Sequence, residues 1–419
     1  MSFAEGFGKS ASMPQIALRE DCTGCGCCAA VCPVSCITME DDVEGFSYPT
    51  VEVARCISCG RCAKACLAND REDQSGSSSF YVAQHHDSEV LSRCSSGGVF
   101  DALAKTVLSR GGVVFGAARD WSTGRVAHTI AVDSEGLAPM RLSKYDQSKA
   151  WGSYPSVSAY LAEGVPVLFT GTPCQVAALR SYLGHEYNNP NLVTMEVLCH
   201  GVTSSRVVAS YLDAKADAVD GEIVDVKFRT KEGPWGWEDS SHAVFVVSNG
   251  GGTKLVRDKI DSFMFGYIRS LYLRESCYRC RYCSTTRTAD FMAGDYWGIT
   301  EREMPKVRRR RGVSLLAVTG PRAEKLLRDI EGDLCLEPLS QENAVRRNGA
   351  LLRPARRPAF RDMAVTHLGS GDFEGILLKE FRMGILKRNI KSFVGPGVSK
   401  ALRMASRAIS HLLAGRRVS

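Results

Sequence analysis

Two segments near the start of the chain repeat one another: EDCTGCGCCAAVCPVSC at 20–36 and ARCISCGRCAKACLAND at 54–70, each with the spacing CxxCxxCxxxC. Nothing else in the sequence restricts the fold as strongly, because eight thiolates at these intervals must converge in two places. A cubane iron-sulfur cluster takes four thiolates. A CxxCxxC loop wraps three of them, and the fourth cysteine goes to the other cluster when two such motifs are paired. That assigns Cys22, Cys25, Cys28 and Cys66 to one 4Fe-4S cluster and Cys32, Cys56, Cys59 and Cys62 to a second. Pro33 follows Cys32 as in the bacterial ferredoxin pattern, whereas Leu67 stands where a second proline would. A zinc site pairs two CxxC knuckles across a longer gap, which two unbroken runs do not match. Cys27 and Cys36 fall outside the ligand spacing and read as small packing residues.

The remainder of the 419 residues leaves room for one or two further domains. No run approaches the roughly 18 apolar residues of a membrane span, and the N-terminus MSFAEGFGKSASMPQ lacks the apolar core of a secretory signal. The expected compartment is the cytoplasm, where thiols stay reduced and clustered cysteines act as metal ligands. Residues 1–18 read as an N-terminal extension, 19–72 as an α+β ferredoxin-like unit for two 4Fe-4S clusters, and 73–79 (DQSGSSS) as a linker. From 80 to 330, apolar β-rich runs at 113–118, 165–171, 192–201, 223–228 and 313–320 alternate with helical patterns. One of these patterns places Val99, Phe100, Leu103, Val107 and Leu108 on a stripe ended by Gly111 and Gly112. Such alternation predicts a larger α/β domain with a mixed sheet, and the polar interval 229–274 suggests an antiparallel excursion.

Six segments in order along this larger domain carry a resemblance: SSGGVFDAL at 95–103, LSKYDQS at 142–148, VLFTGTPCQVAAL at 167–179, LCHGVTS at 198–204, SCYRCRY at 276–282 and ADFMAGDYWGI at 289–299. Together they resemble the coenzyme F420 hydrogenase/dehydrogenase beta-subunit family, over residues 20 to about 330. The resemblance implies an FAD-containing iron-sulfur oxidoreductase. Its flavin would exchange hydride with coenzyme F420 or an organic substrate, in some relatives one linked to polysaccharide biosynthesis. It places the cofactor at Ser95, Ser96, Gly97 and Gly98 before a helix, at Lys144 and Ser148, and at Thr170, Gly171 and Thr172 after a strand. Lys144, Tyr145 and His200 are the candidate catalytic groups. A third cubane is expected on Cys174, Cys199, Cys277 and Cys280, with Cys283 as an alternative ligand.

The same resemblance leaves two roles open: a self-sufficient reductase fed by ferredoxin, or an electron-transfer subunit of a larger redox complex. The sequence contains no GxSxG elbow, GxxxxGK[ST] loop or HExxH helix, and no nucleic-acid motif. Basic character collects in residues 331–419, with 16 Lys+Arg against 8 Asp+Glu. There Val398, Leu402, Ala405, Ile409 and Leu412 form an amphipathic stripe flanked by Lys400, Arg403 and Arg407. It is a candidate for peripheral membrane contact.

Overall fold

The computed structural model describes residues 14–69, 76–216, 219–229, 231, 243–248, 253–257, 261–299, 304–367, 375 and 377–386. The duplication seen in the sequence is repeated in backbone conformation. Gly24 and Ser58, two residues after the first cysteine of each motif, have φ of 64° and 52°, and Gly26 and Gly60 have φ of 68° and 73°. These left-handed residues curl each loop before the short helices Cys27–Ala30 and Arg61–Lys64 begin. A hairpin of β1 (Ile37–Asp41) and β2 (Ser47–Val51) lies between the repeats.

The larger domain is built on an eight-stranded sheet. Its strands are β3 (Ser78–His85), β4 (Val113–Asp120), β5 (Arg125–Ala131), β6 (Val167–Gly171), β7 (Leu192–Val197), β11 (Phe291–Asp295), β12 (Ser314–Thr319) and β13 (Leu334–Leu339). The order is β13-β3-β12-β11-β7-β6-β4-β5. Strands β4, β6, β7 and β11 run parallel, and the remaining pairings are antiparallel. The carboxyl ends of β3, β4, β6, β7 and β11 therefore share one edge. Along β6, Val167 and Phe169 pack with residues of helices Tyr154–Ala162 and Pro173–Leu183, while Leu168 packs on the opposite face with helices Val99–Ser109 and Gly320–Ile330. Burial on both faces explains why this strand reads as an unbroken apolar run.

Two boundaries differ from those the sequence suggests. Ser78 and Ser79, read as linker, belong to β3 and pair with Thr319 and Val318. The segment after 330 begins with a strand: β13 (LCLEPL) pairs with β3 from Leu334↔His85 to Leu339↔Phe80. As an edge strand with mixed burial it lacks the alternation that would have marked it. The run at 223–228 enters a separate antiparallel sheet, β8 (Glu222–Lys227), β9 (Val244–Ser248) and β10 (Thr253–Arg257), which is the excursion the polar interval suggested. The stripe from 398 to 412 lies outside the described residues. Among the described residues no helix is long and apolar enough to cross a membrane.

Side chains of the larger domain grip the cysteine-rich unit mainly by its backbone. Tyr154 donates to the Cys25 carbonyl (3.0 Å), Gln147 to Thr23 (2.7 Å), Ser181 to Ala65 (3.1 Å) and Arg206 to Val43 (2.7 Å). Arg361 forks onto the Glu44 carboxylate at 2.8 and 2.5 Å, so the segment after 330 also holds this unit.

Candidate iron-sulfur centres and the cysteine cavity

The two repeats bring their thiols together crosswise. Burial pushes Cys25 up to about 11 and raises Cys28 as well, and the nearby thiols of Cys22 and Cys66 add to both. Burial raises the pKa of Cys62, and Cys59 and Cys32 add to it. Cys36, outside the ligand spacing, lies beside the second set: its sulfur is 3.4 Å from that of Cys32, and Cys56 also acts on it. Cys27 is fully buried and donates to the Ala178 carbonyl (3.5 Å).

The surroundings of the two loops are opposite. A Cβ on Gly24 would stand 2.7 Å from the Arg274 guanidinium, and one on Gly26 would stand 2.5 Å from Trp151. At the equivalent places of the second loop, Gly60 meets nothing within 4 Å, and Ser58 is exposed. Cys59 is exposed too, with Ile57 60% and Val53 42% exposed beside it. The first loop thus faces the larger domain and the second faces solvent.

At the carboxyl edge of the large sheet, Cys174, Cys199, Cys277, Cys280 and Cys283 line one cavity of about 220 Å³. A single water needs only ~10–15 Å³ of such space. Cys174 is in the first turn of the helix that follows β6, and Cys199 lies two residues past β7. Cys277, Cys280 and Cys283 come from the turn-rich segment before β11. Leu67, Pro173 and Val202 supply apolar wall, and Asp21, Thr23, Leu67 and Ala68, neighbours of Cys22 and Cys66, close one side. Burial pushes the thiols of Cys174 and Cys199 up, and that of Cys277 up to about 11. A hydrogen bond from Cys283 instead holds Cys280 down to about 7. Metal binding must therefore displace protons from most of the set. Among the described residues no three His, Cys, Asp or Glu side chains close around a single ion. Four thiolates on one zinc would have to approach within ~3.8 Å of each other, whereas a cubane holds its ligands at separate corners. The donor type, number and space fit a cluster.

The residues that the resemblance implies for FAD separate into two constellations. In the first, Ser143 donates to Ser95 (3.0 Å) and also engages the buried Tyr145 hydroxyl. Tyr145 in turn meets Arg229, which is paired with Asp295 at 2.7 Å. Lys144 donates to the carbonyls of Pro139 and Arg141, each at 2.5 Å, and burial pulls its ammonium down to about 7. Ser96 and Gly97 bond to Ser314 at the start of β12. Asp101, paired with Arg141, provides the acidic group in the first turn of the helix after Gly98.

In the second constellation, Ser148 sits between His128 (3.0 Å) and Gln175 (3.0 Å), and His128 bonds to the Thr170 carbonyl (2.7 Å). Gly171 packs against Gln175 and His128. Thr172 and Gln175 form a reciprocal capping box, with Gln175 accepting from the Thr172 amide at 2.9 Å. Several of the polar side chains in both constellations are hydrogen-bonded within the protein. His200 lines the cysteine cavity, bonds to Ser270 (3.0 Å) and stacks edge-on with Tyr267, which also touches Tyr145. Burial lowers its pKa, so the neutral ring is favoured.

Sequence reasoning missed two features. The T-x-x-Q capping box at 172–175 was legible. Arg274 was not, because its partners Gln147, Cys22 and Ser47 are 127 to 252 residues away.

Comparison with known proteins gives two family matches: residues 21–69 to the 4Fe-4S dicluster domain, and residues 165–342 to the C terminus of the coenzyme F420 hydrogenase/dehydrogenase beta subunit. The chain is similar to NADH-quinone oxidoreductase subunit I 2 of Geobacter metallireducens, at 42% identity over 53 residues. That match spans 12% of this chain and 40% of the relative's length. A solved structure, a xenon derivative of the F420-reducing NiFe hydrogenase complex from Methanosarcina barkeri, aligns with a TM-score of 0.44 and 16% identity. The alignment covers 78% of this chain and 99% of that one.

Proposed function

We propose, for a chain whose residues 165–342 belong to the coenzyme F420 hydrogenase/dehydrogenase beta-subunit family and whose residues 21–69 are a 4Fe-4S dicluster domain, a relay between an external one-electron carrier and a two-electron partner of the larger domain. The observation that carries this reading is the shared wall: residues flanking Cys22 and Cys66 close the cavity lined by Cys174, Cys199, Cys277 and Cys280. Bound 4Fe-4S clusters supply one-electron transfer at potentials that the protein tunes. Cys32, Cys56, Cys59 and Cys62 would hold the outer cluster, Cys22, Cys25, Cys28 and Cys66 the middle one, and the cavity cysteines a third. The exposed Cys59 loop, with Ile57 and Val53, is the proposed docking face for a ferredoxin or a partner subunit. Leu67, Pro173 and Val202 would present apolar surface to the cavity thiolates.

FAD, and hydride exchange with coenzyme F420 or an organic substrate, complete the reading at the two-electron end. Anaerobically purified protein should release FAD on acid extraction, and reduced ferredoxin or reduced coenzyme F420 should bleach its flavin without any companion protein. Full iron content with no flavin and no uptake of added FAD overturns the flavin assignment. Bleaching only when a companion subunit is present favours the electron-transfer subunit over the self-sufficient reductase.

The basic stripe at 398–412 is proposed to contact acidic lipid. Cosedimentation with anionic vesicles should weaken as salt rises, since exposed charges are screened beyond about 8 Å at physiological ionic strength. A chain ending at Gly395 should keep its iron and lose the vesicles. An intact chain that ignores such vesicles at low salt removes the contact.

A further inference from the structure

Arg274 is the largest fully buried side chain among the described residues, with 1% exposure. An arginine remains charged wherever it is buried, so the groups around it define what the charge serves. Its Nε donates to the Cys22 carbonyl at 2.7 Å, one Nη to Gln147 Oε1 at 3.1 Å, and the other Nη to the Ser47 carbonyl at 3.0 Å. That second Nη also reaches the Cys22 sulfur at 3.7 Å. The guanidinium lies 4.2 Å from the ring centroid of Tyr48 and 5.4 Å from that of Phe46. No carboxylate is among these partners. On the other side, the Arg274 carbonyl accepts from the Cys277 amide at 2.9 Å, so one residue touches a cysteine of the middle set and a cysteine of the cavity.

We infer that Arg274 raises the reduction potential of the cluster held by Cys22, Cys25, Cys28 and Cys66. The inference rests on the reading of those four cysteines as ligands of one centre. Adding an electron makes a thiolate-ligated cluster more negative. A buried cation with an N–H on a ligand sulfur stabilises that extra charge, the more so where water is excluded. Among the described residues no cationic side chain bonds a sulfur of Cys32, Cys56, Cys59 or Cys62. Arg274 acts here through the ligand as a positioning residue.

The test is an EPR-monitored redox titration of the full, iron-loaded chain, comparing the parent with Arg274→Gln and Arg274→Lys. The middle cluster is identified as the signal lost in Cys22→Ser. Arg274→Gln should shift that signal down by at least a tenfold change in its reduction equilibrium, about 59 mV for one electron. The outer cluster should not move. Arg274→Lys keeps a charge but loses the fork, so it should shift the same signal in the same direction by less. If Arg274→Gln fails to hold iron, the Lys variant carries the measurement. Full iron with unmoved potentials overturns the inference. Cys22→Ser with undiminished iron overturns the ligand reading beneath it.

Discussion

With the proposed third cubane in the cavity, changing Cys174 to serine should lower the iron content of the fully loaded chain from about 12 to about 8 atoms, since that cluster would lose a ligand. Cys174 is fixed in the first turn of a helix whose start is capped by Thr172 and Gln175. Its own hydroxyl neighbour, Thr172, lies 3.1 Å from the sulfur. The first eight irons should stay, because Cys22 to Cys66 belong to a separately wound unit. Cys27→Ser serves as the control: that thiol is buried against the Ala178 carbonyl, and its loss should leave the iron count unchanged. Iron analysis with EPR of the reduced protein decides the matter. A parent chain saturating near eight irons removes the third centre, and an intact Cys174→Ser protein with undiminished iron removes this ligand.

The second large effect is on stability. Replacing Arg287 by methionine should destabilise the larger domain by about 3–5 kcal/mol, read from the urea midpoint, because it strands a buried carboxylate. Glu196, at the carboxyl end of β7, is 1% exposed and pairs with the Arg287 Nε, and its second oxygen has no partner. Arg287 also donates to the carbonyls of Tyr282 and Ser284, which flank Cys283. Burial raises the pKa of Glu196, and Arg287 opposes that rise. Without Arg287 the folded-state pKa climbs further above the unfolded value. The penalty is then small near the unfolded pKa and grows as pH rises toward the raised folded one. The deficit of the variant should therefore shrink as pH falls from neutral toward the carboxylate range. Adding Glu196→Leu should recover most of the loss, since a buried pair exchanged for apolar side chains of similar volume is often neutral. A single variant as stable as the parent, or a deficit independent of pH, contradicts this account.

Much of the framework was readable from local patterns. The strands β4, β6, β7 and β12 and the helix Val99–Ser109 coincide with apolar runs and a 3.6-residue stripe, because elements packed on two faces or one leave those periodicities. The strand β13 left no such trace. The segments that the resemblance implies for flavin are separate local motifs. A motif cannot reveal that Gln175 occupies the Thr172 amide or that Asp101 already lies at the helix start after Gly98.

By itself the sequence determined the two cysteine loops, since ligand spacing within a loop is a local property and the glycines that permit the winding lie inside the motif. It determined as well which cysteines follow strands and so reach one sheet edge. Only the tertiary structure decided which loop faces inward. Gly24 and Ser58 have nearly the same backbone conformation, yet the first accommodates a guanidinium and the second is exposed to solvent. That difference comes from Arg274, 250 residues away in the chain from Gly24. Contacts over such separations are set by how whole elements pack, and no window of sequence contains both partners.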